Sequence, residues 1–99
     1  SYDAQSAERY EVMQTAARLY PESAAASLNA ANVAIASNKL AEAQMWLVKV
    51  GNQPAAIHAR GVLAAKQGDY ATARRLFTEA ASQGIQESTE ALDLLPQAE

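Results

Sequence analysis

Apolar positions along this chain recur at intervals of three and four, the period of an α-helix with one buried face. Few breakers interrupt the pattern: Pro21, Asn38, Gly51-Asn52-Gln53-Pro54, Gly68-Asp69, Gly84 and Pro96. The spacing predicts six helices, at about 3–19, 22–37, 40–50, 54–67, 70–83 and 85–95. Asp3 is placed to cap the first helix and Asp69 the fifth, since a carboxylate there accepts from an otherwise unpaired N–H. Pro54 suits the first turn of the fourth helix, where its missing N–H is no loss. Gly51 and Gly84 suit left-handed C-terminal caps. Connections this short make neighbouring helices antiparallel.

Composition supports helices over sheet. The chain has 99 residues, the size of one domain, and 24 of them are Ala, the best helix former. Leu, Ile and Val together number 17, too few β-branched and bulky residues for a sandwich or barrel. An apolar share of 49% argues against disorder. The net charge of −3, with no basic cluster larger than Arg74-Arg75, argues against a nucleic-acid face. No apolar run approaches the length that spans a bilayer. The absence of Cys removes disulfides, thiolate metal sites and cysteine nucleophiles. The chain starts at Ser1 with neither Met nor signal peptide, as a processed or excised piece of a longer protein would.

Internal repetition is the strongest signal. A shift of 30 brings Leu40 onto Tyr70, Ala43 onto Ala73, Trp46 onto Leu76, Leu47 onto Phe77 and Val50 onto Ala80. It also brings Ala31 onto Gly61 and Asn38 onto Gly68. Upstream, a shift of 34 relates Met13 to Leu47 and Ala16 to Val50. Small residues at 31, 43, 61 and 73 mark helix crossings, where short side chains let two axes approach. Leu40, Leu47, Tyr70 and Phe77 are expected to supply the bulk beside them.

Gly68-Asp69-Tyr70 followed by Ala73, Phe77 and Ala80 resembles the second half of a tetratricopeptide repeat, with Gly61 at the small position where its two helices cross. Ile57 and Ala64 stand where that family usually has Trp and Tyr, and Arg60 where it usually has Leu. Asn38-Lys39-Leu40 replaces Gly-Asp-Tyr in the preceding repeat, while Met13, Ala16 and Pro21 match a leading half repeat. The resemblance covers about residues 8–95 and is closest over 54–83. The stretch from Tyr70 through Ala80-Ala81 and Gly84 is also similar to Sel-one-like repeats. Leu28 to Asn32 and Ala59 to Ala65 look like a helical tail module of cell-envelope proteins from Bacteroides-type bacteria, which implies an envelope or periplasmic setting.

The resemblance implies an all-α, right-handed superhelical solenoid fragment, forming a single domain over 1–99. Its parts would be a half repeat at 3–21, full repeats at 22–53 and 54–83, and a capping helix at 85–95. Ile85, Leu92 and Leu95 would cover the fifth helix, with Gln86, Glu87, Glu90 and Asp93 in solvent. The first helix has apolar residues on several sides, at Tyr2, Tyr10, Val12 and Met13, and could pack on a further upstream repeat.

No catalytic constellation is visible. The single His, His58, has no second His and no carboxylate at metal-ligand spacing, and phosphate-binding glycine loops are absent. The resemblance implies binding of a protein or peptide, with no cofactor, on the inner face of the first helix of each pair. The inward positions would be Ala25, Leu28, Asn29 and Asn32, then Ala55, His58, Ala59, Val62 and Lys66. Asn29, Asn32, His58 and Lys66 are the polar candidates, since an amide both donates to and accepts from an extended peptide. A solvated or inter-helix amide is the plainer reading of both asparagines. The carboxylate clamp of chaperone-binding members is not met: Leu28 and Ala59 stand where it needs Lys and Asn, and only Asn32 matches. Trp46 is expected half-buried against a neighbouring pair. Arg60 needs a partner beside Gly61: a tie to Glu79 or Asp93, or else an anion in the groove. The competing reading is a spacer or docking domain of a larger envelope protein with no groove ligand.

Overall fold

The computed structural model describes residues 2–96, with side chains from residue 7 onward. Six helices follow in order: α1 (Tyr2–Leu19), α2 (Ala24–Ala36), α3 (Leu40–Val50), α4 (Pro54–Lys66), α5 (Tyr70–Ser82) and α6 (Gln86–Leu94). No strand occurs among the described residues, and the chain is all-α. Each helix lies within two residues of its expected bounds. The side chains of Tyr2 and Asp3, the latter the expected first cap, lie outside the described residues.

The helix ends follow from local chemistry. Ser23 caps α2, its hydroxyl accepting from the Ala26 N–H at 3.1 Å. Asp69 caps α5, accepting from the Thr72 N–H at 3.2 Å, and the Thr72 side chain together with that N–H holds its carboxyl below the usual range. Pro54 opens α4 as expected. Three helices close alike. The N–H of Lys39 bonds the Ala34 carbonyl, that of Asp69 bonds Ala64, and that of Ile85 bonds Ala80. The residue before each has positive φ: Asn38 at 62°, Gly68 at 83° and Gly84 at 96°. This pairing satisfies carbonyls that a helix end otherwise leaves open. Gly51 differs from the expectation. Its φ of 85° comes with ψ of −150°, so it extends the chain instead of curling it into a left-handed cap.

The chain divides after Gly51 into two compact units. In the N-terminal unit α2 packs on both α1 and α3. Ala30, Ala31, Ala34 and Ala43 are wholly buried there, with Ile35, Leu47 and Val50 nearly so. Trp46 is 1% exposed, a correction to its expected half-burial. The reason lies in α1: the Trp46 indole N–H donates to the Tyr10 hydroxyl at 3.3 Å, so the ring is buried with its polar atom satisfied. Tyr10 is itself buried, and the Lys39 ammonium lies 5.8 Å from its ring centroid. Burial, reinforced by the Glu42 carboxylate, pushes the Tyr10 hydroxyl above the ordinary tyrosine value.

In the C-terminal unit α5 packs on both α4 and α6. Its core joins Ala64, Ala73, Phe77 and Leu95, with Val62, Ala65, Ala91 and Leu92 against it. Full burial of one such large side chain stabilises by about 1.5–3 kcal/mol. Gly61 sits at the crossing as expected, and so close that a Cβ there would lie 2.6 Å from Phe77 Cε1. Gln86, Glu87, Glu90 and Asp93 are in solvent. Tyr70 departs from its expected core role. It is 42% exposed, at the first position of α5.

Candidate functional site

The end of α4, the start of α5 and the end of α6 enclose an open groove of about 600 Å³. Val62, Ala65 and Lys66 line it from α4, and Tyr70 and Phe77 from α5. Ala91, Leu94, Leu95 and Pro96 complete it. Local chemistry shapes that last wall. A residue before proline is driven out of helical conformation, and Leu95 accordingly takes φ −70° and ψ 144°. The turn drives the Leu95 side chain into the core, where it is 8% exposed, and leaves Leu94 outside at 85%. The Arg74 guanidinium donates to the Pro96 carbonyl at 2.8 Å and holds the segment in place.

The surface of the groove is mostly apolar. Among the described residues Lys66 is its one charged lining residue. Among the described residues, neither the Lys66 ammonium nor the Tyr70 hydroxyl has a hydrogen-bond partner. Val62 and Lys66 are the two expected inward positions of α4 that the groove contains.

His58 is elsewhere in the same unit. Its Nδ1 lies 2.6 Å from Ser88 Oγ on α6, and its ring tilts against Phe77 at 5.3 Å between centroids. Burial lowers its pKa below the ordinary histidine value, and the Glu87 carboxylate opposes that shift. With the proton on Nε2, the Ser88 hydroxyl donates to Nδ1. A serine within reach of a histidine base is half of a nucleophilic pair. Ser88, however, is 0% exposed, so no substrate carbonyl reaches its oxygen. The pair ties α4 to α6.

Asn29 and Asn32, one turn apart on α2, are both exposed, and neither lines the groove of the C-terminal unit. Ala59, also expected on the inward face, is buried. Arg60 donates to Asn52 Oδ1 at 3.5 Å. No described group of three or more His, Cys, Asp or Glu side chains is arranged to hold a metal. No described helix is long and apolar enough to cross a membrane.

No family model, curated protein or solved structure matches this chain. The geometry of the site therefore carries the functional reading. Apart from Val62 and Lys66, none of the groove's lining was expected at a binding face; Tyr70, Leu94 and Pro96 are the exposed ones among those missed. Tyr70 was legible only as part of a repeat signature, and Leu94 as one of two adjacent leucines. The usable signal was the Leu95-Pro96 step, which ends a helix and turns one leucine inward and its neighbour outward.

Proposed function

We propose that the chain is a non-catalytic interaction module of tetratricopeptide type, a right-handed superhelical fragment that binds a peptide or protein segment. The observation that supports this is the groove at the end of α4. It is largely apolar, open to solvent and walled by a pinned segment, with a lysine and a tyrosine hydroxyl free to meet a ligand. Val62 and Lys66 belong to the face that the family uses. Asn29 and Asn32 on α2 belong to the other unit and are a separate candidate contact, where their exposed amides suit an extended backbone. His58 is given a positioning role, holding α6 through Ser88 so that the groove keeps its third wall.

The spacer reading is favoured by one observation: the inward positions Ala25, Ala55 and Asn29 are small or solvated, with little surface to grip. A peptide-display selection of random dodecapeptides on the full chain separates the two. Saturable binding in titration calorimetry, with NMR shift changes on α4 or α2, supports the module. Failure to select any saturable binder overturns it in favour of the spacer. Asn29→Ala/Asn32→Ala should weaken the selected peptides severalfold if α2 takes part.

A further inference from the structure

The groove also states which chemistry it would take. We propose that its occupant is an acidic, leucine-rich protein segment whose carboxylate side chain meets Lys66 and the Tyr70 hydroxyl while its apolar side chains cover Leu94 and Val62. This rests on the interaction-module reading above.

Charge complementarity carries the choice. The chain as a whole is acidic, at −3, yet among the described residues the only charged side chain lining the groove is a cation. That cation is exposed and has no partner among the described residues. The nearby cation Arg74 is already engaged with the Pro96 carbonyl. A carboxylate reaching Lys66 would form a charge-assisted hydrogen bond beside an apolar surface, where such bonds exceed neutral ones in strength. The Tyr70 hydroxyl is a second donor in the same groove. An aliphatic anchor follows from the other wall. Leu94 is 85% exposed and Tyr70 42%, and Val62 and Ala65 in the same lining are half-buried. A basic segment would set like charge against Lys66, and a uniformly polar one would leave Leu94 wet.

Charge reversal tests this directly. The dodecapeptide selection is run in parallel on wild type, Lys66→Glu and Leu94→Ser, each checked for unchanged helicity and melting temperature. Both side chains are exposed, so the fold should survive either change. Wild type should enrich peptides with Asp or Glu beside Leu, Ile or Met. Lys66→Glu should bind those peptides about tenfold or more weakly and enrich basic ones instead. Leu94→Ser should lose the aliphatic preference and keep the acidic one. Binding to wild type should also weaken as salt rises. If the wild-type peptides carry no acidic bias, or Lys66→Glu leaves the bias unchanged, the proposal is overturned while the module reading stands. If no variant selects a saturable binder, both fall.

Discussion

The α2–α3 and α4–α5 hairpins are two solutions to one packing problem. Both are related by the same shift of 30, and both close their first helix with a positive-φ residue, Asn38 in one and Gly68 in the other. Both bury an alanine fully at the crossing, Ala43 and Ala73. They differ in how they divide volume. The first hairpin sets Ala31 and Leu47 at positions where the second sets Gly61 and Phe77. The methyl missing from Gly61 is the room the Phe77 ring occupies. A close-packed interior responds to changes of a single methylene, so the two positions must change together. The repeat thus conserves summed volume across a crossing, with size moved from one helix to the other.

The largest contrast is expected at position 46 and its repeat partner 76. Trp46 is buried and bonded to Tyr10 of α1, whereas Leu76 is only half-buried. Trp46→Ala should destabilise by about 3–5 kcal/mol, the usual cost of deleting a buried aromatic ring. Leu76→Ala should cost well under half as much. Urea unfolding followed by circular dichroism measures both. Equal losses would mean that the extra burial of Trp46 contributes nothing and that the two hairpins are energetically alike.

The next effect is a test of compensation. Gly61→Ala places a Cβ against the Phe77 ring and should cost about 1–3 kcal/mol by overpacking. Phe77→Leu alone should cost about 1–2 kcal/mol by opening a void. Combined, the two changes recreate the Ala and Leu pairing that the first hairpin buries without difficulty. The double variant should be more stable than the sum of the single losses implies, with a coupling of about 1 kcal/mol or more. Simple additivity would show that the crossing relaxes around each change separately.

These contrasts also show what a linear pattern carries. Helix bounds were legible to within two residues because the breakers are local: Asp69, Gly68 and Gly84 act through bonds three to five residues away, and Pro54 through its own missing N–H. Gly61 was legible because the shift of 30 aligned it with another small residue, Ala31, at the position where the resemblance places a helix crossing. The indole–phenol bond between Trp46 and Tyr10 spans 36 residues, and the His58–Ser88 contact spans 30. Helical period says which face is apolar. It does not say which polar atom on that face will meet another. For the same reason Lys66 was found as a lone inward cation, and the leucine and tyrosine that give it a groove were not.

His58 provides the smallest contrast, and one that pH can read. Its repeat partner in the first hairpin is Leu28, which cannot titrate. Burial lowers the His58 pKa in the folded chain below the ordinary histidine value of 6.5, so the unfolded chain takes up the proton first. Its contribution to stability is therefore complete above about 6.5 and is lost as pH falls through the folded-state pKa. Glu87, which favours the charged ring, limits the loss. Asp69 has the same sign but acts lower, because its folded pKa is held below 3.8 by the Thr72 bonds. Between about pH 7 and pH 5 the melting temperature of the wild type should fall further than that of His58→Gln, which keeps a polar group near Ser88 and has no proton to gain. Removing the neighbouring charge in Glu87→Gln should steepen the wild-type fall. If His58→Gln and wild type fall in parallel, the ring is not held neutral by its packing, and the two hairpins are equally indifferent to acid.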